Sequence, residues 1–275
     1  MGLLSRLNRK GGKRTNGFSI EVVIPLRSSA VFDFSKVVEG FDKKWGTKVS
    51  TGEDEGSAEF KKGSKVISLT NGKSTVIVTC HSGSLPKGMF KKLTDLPGID
   101  EAEKFALQDC RGSLLLQSPD MGEHAAERAT FAAQVLLYFL EDENALGYSC
   151  KSGNFYRQRR WAASYFKRKA LEPVDLFVLF DSLHFVSDSR WVHTHGLEQF
   201  GLPDIEVRYK DRWKEDYYGD LVANAAVYCI ERGPVLVVGN TAEVADNGVV
   251  YKVTRPRLEP NHDCGKFGMI GLTKV

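Results

Sequence analysis

The chain of 275 residues contains no apolar run as long as the roughly 18 residues that a membrane-spanning helix needs. Its first 17 residues, MGLLSRLNRKGGKRTNG, also lack the apolar core of a secretory signal. We therefore expect a cytoplasmic protein without a transmembrane segment, which begins with a basic, flexible tail over residues 1–17.

Cysteine is scarce, and no two cysteines have the CxxC spacing of a zinc or redox site. The five cysteines are scattered at Cys80, Cys110, Cys150, Cys229 and Cys264. A phosphate-binding loop is missing too, because Gly72-Lys73-Ser74 would need a glycine where Ile67 stands. The sequence thus predicts reduced thiols and no cofactor.

Charge is distributed unevenly along the chain. The net charge of +3 includes five basic and no acidic side chains in residues 1–16, so the remainder carries a net −2. Within that remainder, residues 151–170 contain seven basic side chains and no acid. Such separation is typical of a protein that presents one charged face to a partner.

Hydrophobic periodicity predicts an α+β fold of two layered halves with mainly antiparallel sheets. In the first half, residues 18–118, strand and helix patterns follow one another in a βαββαβ-like order, with a two-residue Asn71-Gly72 turn between two strands. The long segment Ala125–Leu140 is apolar on nearly every side, which predicts a buried helix joining the halves.

The second half, residues 119–275, is predicted to contain four strands and two further helices after the joining helix, although residues 18–275 could also form one continuous domain. The predicted helices cover residues 154–169 and KEDYYGDLVANAAVYCIE, and the predicted strands are PVDLFVLFDSLHFV, PDIEVRY, PVLVVG and GVVYKV. The first of these strands is a nearly continuous apolar run, as expected for a central strand covered on both sides, whereas PDIEVRY alternates as a half-exposed strand does.

The stretch HTHGLEQFGLPDIEV, preceded by PVDLFVLFD, resembles a bacterial domain-of-unknown-function family with a Thr-x-Gly-Leu and Phe-Gly-x-Pro-Asp/Glu-x-Glu signature. More distantly, the layout is similar to suppressor-of-fused-like proteins, some of which look like immunity or partner-binding proteins of bacterial conflict systems. The resemblance implies no activity. Its signature positions are Thr194, Gly196, Gly201, Pro203, Asp204 and Glu206.

Two histidines within this stretch could bind a metal ion. His193 and His195 are two residues apart, so on a strand both rings leave the same face, and Glu198 and His184 could supply further ligands. The alternative is that the segment is a tight turn shaped by its glycines and proline, with incidental histidines. We favour the turn, because His-x-His without a third ligand at motif spacing is common by chance.

Two other groups of polar residues carry weaker signals. Asp204 and Glu206 could form an acid/base pair, but alternation on an exposed strand explains them equally well. The predicted basic helix offers Arg157, Arg160, Lys167 and Arg168 for phosphate contacts, or simply as a solvated face.

These observations favour a non-enzymatic protein-binding module, with another protein as the partner. No catalytic residues are assigned. Two alternatives remain open: a metal-dependent hydrolase that uses His193 and His195, and nucleic-acid binding through the helix at residues 151–170.

Overall fold

The structure is a computed structural model. It describes residues 19–29, 34–53, 65–85, 91, 93, 95, 99–120, 124–152, 155–162, 165–166, 172–184, 190–244, 248–257 and 265–275. The chain divides into two compact units, Met1–Leu171 and Glu172–Val275. The sequence interpretation had put the division after residue 118. The basic tail, Lys167 and Arg168 lie outside the described residues.

The first unit contains a seven-stranded antiparallel sheet in the order β2-β3-β4-β5-β1-β6-β7. Its strands are β1 (Ser19–Leu26), β2 (Ser50–Glu53), β3 (Lys65–Thr70), β4 (Thr75–Ser82), β5 (Gly112–Pro119), β6 (Gly147–Cys150) and β7 (Phe155–Gln158). The interior strand β1, between β5 and β6, buries Ile20, Val22 and Ile24, the alternating pattern expected of a sheet with one face in the core.

Among the described residues, the helices of the first unit are α1 (Phe34–Trp45), α2 (Glu101–Gln108), α3 (Ala125–Leu140) and α4 (Arg159–Ala162). The short α4 covers only part of the helix predicted at residues 154–169. Helix α3 is buried over most of its length, as predicted, and packs against β1, β4 and β5. It therefore belongs to the core of the first unit.

The hairpin between β3 and β4 confirms the predicted turn but not its length. Thr70 pairs with Thr75, so the loop contains four residues instead of two. Asn71 Oδ1 accepts hydrogen bonds from the backbone N–H groups of Lys73 and Ser74, and Gly72 has a positive φ of 88°. The asparagine side chain thus closes the wider loop as an Asx turn does.

The second unit contains a six-stranded sheet in the order β11-β12-β13-β10-β9-β8. Its elements are α5 (Pro173–Phe177), β8 (Leu179–His184), β9 (Arg190–His195), a 3-10 helix (Leu197–Phe200), β10 (Asp204–Tyr209), a second 3-10 helix (Arg212–Lys214), α6 (Glu215–Arg232), β11 (Thr241–Glu243), β12 (Val250–Thr254) and β13 (Met269–Lys274). Only the β10–β13 pair is parallel among the described strands. The two sheets and their helices confirm the predicted α+β class.

Helix α6 packs against one face of the second sheet, at β9 and β10. Polar side chains lie on the other face. Tyr209 of β10 stacks on Tyr218 of α6, with 4.3 Å between the ring centroids. Strand alternation places Glu206 and Arg208 on the opposite face from Tyr209. That opposite face carries the candidate site.

Four sequence-based predictions of elements were wrong. Residues 155–158 form β7 instead of a helix, and Pro173–Phe177 are helical because proline starts the short helix at its first position. The apolar strand that follows, β8, lies at the edge of the sheet instead of its centre. Residues 234–239 are not a strand, and β13, which was not predicted, lies inside the sheet between β12 and β10.

No helix within the described residues is long and apolar enough to cross a membrane. The described cysteines, Cys80, Cys110, Cys150 and Cys229, are buried free thiols, as expected. Burial raises the pKa of both the Cys80 and Cys229 thiols to about 11, so these thiols remain protonated at neutral pH.

Candidate metal centre

Asp181, His193 and His195 form a cluster that we call the Asp-His-His group. One ligand atom from each side chain lies within 4.8 Å of the other two. The antiparallel pairing of β8 and β9 sets Asp181 directly opposite His193, and the strand repeat of two puts His195 on the same face. A carboxylate oxygen and two imidazole nitrogens are ligands that divalent transition metals accept.

The two imidazoles face each other through their Nε2 atoms, which are 2.9 Å apart. Their rings are nearly perpendicular, with 4.7 Å between centroids. Ligands bound about 2.1 Å from one ion lie about 3.0 Å apart at a right angle and about 3.4 Å apart at the tetrahedral angle. The observed separation suits two neighbouring ligands of one ion, and it equally suits a hydrogen bond from one Nε2–H to the other Nε2.

Packing holds the His193 ring in a single position. The ring is fully buried and stacks on Trp191, with 4.0 Å between centroids and 18° between planes. The guanidinium of Arg208 lies 4.9 Å from the Trp191 ring centroid. His195 and Asp181 are only half-buried, so the group has one buried member and two members that reach toward solvent.

The residues that follow His195 form a turn built around two glycines. Gly196 and Gly201 flank the 3-10 helix, with positive φ angles of 109° and 76° that other residues rarely adopt. Gln199 is buried, and its side-chain N–H group donates to the carbonyl oxygens of Gly196 and Phe177. Backbone geometry thus favours glycine at positions 196 and 201.

Asp204 ties this turn to β9. Its Oδ1 atom accepts hydrogen bonds from the Thr194 hydroxyl, at 2.9 Å, and from the backbone N–H of Leu197, at 3.2 Å. The Thr194 oxygen in turn accepts from the Ile205 N–H at 2.9 Å. These bonds fix the backbone on both sides of His195. These hydrogen bonds favour the charged carboxylate, but burial disfavours it more strongly. The pKa of the Asp204 carboxyl is therefore raised to about 7.

Glu206 lies directly opposite His193 across the β9–β10 pair. It is buried, its Oε1 accepts a hydrogen bond from the Arg257 N–H at 2.6 Å, and its Oε2 lies 3.7 Å from Arg208 Nε. The facing position on β13 is Gly271, where an added Cβ would lie 3.4 Å from Glu206 Oε1. The acidic face of β10 is therefore buried, and the expectation that it is exposed was wrong.

The predicted metal ligands are brought together only in part. His193 and His195 meet, but Glu198 points elsewhere and accepts a hydrogen bond from the Lys266 N–H at 2.8 Å. His184 belongs to β8, and its side chain lies outside the described part of the structure. Asp181 was missed. Pairing the LFDSLH and RWVHTH segments as a hairpin would have identified it, because that register places Asp181 beside His193.

Of the four basic residues of 151–170 that the structure describes, three are engaged within the first unit. Lys151 forms an ion pair with Glu21 at 2.7 Å, and the Arg157 guanidinium lies over the Trp161 ring at 3.9 Å. Arg159 donates to the carbonyl oxygens of Leu140 and Glu141 at the end of α3. Arg160 is exposed on α4. Nucleic-acid binding by this region stays a prediction.

No curated protein and no solved structure matches the chain. Residues 193–261 match one family model. The match begins at His193 and includes His195, the turn and strand β10, whereas Asp181 precedes it. Over this part of the second unit, the chain is similar to a family described as a domain of unknown function, DUF4261.

Proposed function

We propose that the second unit binds a divalent transition-metal ion through the Asp-His-His group. The observation that carries the proposal is the convergence of one carboxylate and two imidazoles within 4.8 Å on neighbouring strands. Strands hold ligands more rigidly than loops, and two of these ligands share one strand at a spacing of two residues. The buried, stacked His193 ring would lose little side-chain entropy on binding.

The ligand types favour Zn²⁺ and its neighbours in the first transition row over Mg²⁺ or Ca²⁺. Imidazole suits zinc, copper, iron and nickel, whereas the two hard cations prefer oxygen ligands. Three protein ligands also leave at least one coordination position for water, as in catalytic zinc sites. A metal ion there would lower the pKa of that water and supply a nucleophile, so hydrolysis is the reaction class that the group supports.

Titration with Co²⁺ tests the metal proposal directly, because cobalt replaces zinc in nitrogen and oxygen sites and gives visible absorption bands. We expect saturable bands at one ion per chain, which competing Zn²⁺ removes. His195→Gln should weaken Co²⁺ binding by at least tenfold, since one ligand is lost. The matched control, His124→Gln, changes an exposed histidine in the first unit and should leave the bands intact. Equal titrations for the two variants would rule out the site.

We also propose that the second unit binds another protein. Support comes from a contiguous apolar segment between α6 and β11, in which Val235, Val237 and Val238 are 41%, 53% and 46% exposed. Adjacent exposed apolar side chains are typical of an interaction surface. Affinity capture with the parent as bait should recover a specific partner that the Val237→Lys, Val238→Lys double variant does not recover. A partner retained equally by both baits would place the interface elsewhere, and no recovered partner would count against the proposal.

A further inference from the structure

Strand β8 (Leu179–His184) forms one edge of the second sheet, where it pairs with β9 alone. It has six residues, whereas the other three edge strands of the two described sheets, β2, β7 and β11, have four, four and three. An edge strand presents a row of backbone N–H and C=O groups to any other extended chain, and proteins usually keep such edges short. Among the described strands, β8 therefore offers the longest row.

The backbone groups on the outer side of β8 are available for pairing. In an antiparallel ladder, alternate residues direct both their N–H and C=O groups toward the neighbouring strand, and the residues between them direct theirs away. Within the described part of the chain, no hydrogen bond reaches the backbone of Leu179–His184 from outside the ladder with β9. The side chains of residues 179–182 are all half-buried, whereas those of residues 191–194 in β9 are buried. The outer side of β8 can thus accept another strand.

The sequence of β8 lacks the residues that usually protect an edge from pairing. The segment LFDSLH contains neither the proline nor the lysine that natural edge strands use for this purpose. Its one acidic side chain, Asp181, converges on His193 and His195 over the face of the sheet, so it does not guard the edge. A six-residue edge of this composition is suited to strand addition.

The outer edge of β8 runs beside the Asp-His-His group. An added strand would lie about 4.8 Å from β8. Because side chains that face each other across a ladder lie on the same side of the sheet, the added residue opposite Asp181 would place its side chain on the face that carries the two histidines. The peptide bonds on either side of that residue would lie next to the Asp181 carboxylate. A chain that pairs with β8 is thus brought to the proposed metal ion.

We propose that the edge of β8 binds an extended polypeptide segment as a further strand, and that polypeptides are the substrate class of the Asp-His-His group. The inference rests on the metal binding proposed above. The edge offers donors and acceptors at the spacing of a β-ladder, which another polypeptide backbone matches whatever its sequence. The reaction is hydrolysis of a peptide bond. The water oxygen forms a bond to the carbonyl carbon, the C–N bond breaks, and both water protons go to the released nitrogen, so that a carboxylate and an ammonium group result.

Hydrogen-exchange mass spectrometry of the full-length protein in chelator tests strand addition. The probe is a short peptide of alternating valine and threonine with a lysine at each end. Saturating peptide should slow exchange of the β8 segment by at least about tenfold and leave β11, the opposite edge of the same sheet, unchanged. The same peptide with every backbone nitrogen methylated has no backbone donors and should give no protection.

Labelled casein, an unfolded protein, tests the substrate class. The Zn²⁺-loaded parent should cleave casein, and chelator should stop the cleavage. Phe180→Lys puts a charge on the β8 edge and should lower the cleavage rate by at least about tenfold, while Co²⁺ binding stays intact. The matched control, Ala242→Lys, introduces the same residue on the edge strand β11 and should cleave casein like the parent. Circular dichroism of each variant verifies that the fold is intact.

Strand addition is measured in chelator, so its failure is distinct from a failure of metal binding. A parent that binds Co²⁺ but shows no protection of β8 by the peptide overturns this inference alone. Equal protection by the methylated peptide overturns it too, as does casein left intact by the Zn²⁺-loaded protein or cleaved equally by folded Phe180→Lys protein. A parent that sediments as a dimer, and a Phe180→Lys variant that sediments as a monomer, would assign the edge to a second copy of the chain and would also overturn the proposal.

Discussion

At the residue scale, the residues that shape the turn differ from the two histidines beside it in what their side chains do. Gly196, Gly201, Thr194 and Asp204 build the turn through positive φ angles and buried hydrogen bonds. The histidines carry the imidazole nitrogens of the proposed metal site. The expected turn and the proposed metal site are therefore compatible within one segment, since the turn fixes the strand end from which His195 projects.

Gly201→Val tests the structural task of the turn. A β-branched residue at a φ of 76° is strained, so we expect a loss of about 1–3 kcal/mol in the free energy of unfolding. Urea denaturation of the variant and the parent measures it. The same substitution at Gly219, which lies in α6 where an added Cβ would meet open space, provides the comparison and should cost less. Equal losses at the two positions would contradict the role given to Gly201.

Asp204 makes the stability of the fold depend on pH. Its pKa is about 7 in the folded protein and near the ordinary 3.8 in the unfolded chain, so the folded state holds the proton more tightly. Its contribution is therefore fully present below about pH 4, decreases as pH rises to about 7, and is lost above that. A rise of this size corresponds to roughly 4 kcal/mol.

Asp204→Asn keeps a side-chain oxygen for Thr194 and Leu197 but cannot ionise. Its unfolding free energy, measured by urea denaturation between pH 4 and 8, should fall less steeply with rising pH than that of the parent. Asp109→Asn, at an exposed carboxylate, serves as the control and should keep the parent's slope. If the unfolding free energies of the parent and of Asp204→Asn changed with pH at the same slope, folding would not raise the pKa of the Asp204 carboxyl.

At the scale of elements, long periodic segments were predicted well, and short or ambiguous ones were not. Helix α3 was predicted at Ala125–Leu140, and the segment KEDYYGDLVANAAVYCIE was predicted as the helix now seen at Glu215–Arg232, because long apolar-rich segments with a helical period leave few alternatives. Residues 155–158 were misassigned because pairing with β6 outweighed their weak helical pattern. Strand β13 was missed because its pairing with β10 is long-range.

Helix α3 should be a principal source of stability for the first unit. Phe131 is 1% exposed and packs edge-on against Phe41, with 5.9 Å between ring centroids. Phe131→Ala should lower the unfolding free energy by about 3–5 kcal/mol, because a cavity replaces a large buried ring. Phe105→Ala, which truncates a ring 66% exposed on α2, should change it by less than about 0.5 kcal/mol. Chemical denaturation compares both, and similar losses would contradict the packing described for α3.

At the scale of the whole molecule, the sequence predicted the α+β class but only part of the site. Two histidines on one strand could be paired from their spacing, because side chains repeat every two residues. The position of Asp181 beside His193 could not be predicted from spacing, since it depends on the register of β8 against β9. The burial of Asp204 and Glu206 was also unpredictable from alternation, because alternation fixes which side a residue faces and not what covers that side.

The metal content of untagged protein tests the central claim most directly. The parent, purified without chelator and measured by elemental mass spectrometry, should contain about one transition-metal ion per chain, since the Asp-His-His group offers one set of ligands. Asp181→Asn and His193→Gln proteins should contain little, while His124→Gln should match the parent. A parent that remains metal-free after incubation with Zn²⁺ and removal of the excess, or folded site variants that retain as much metal as the parent, would contradict the account.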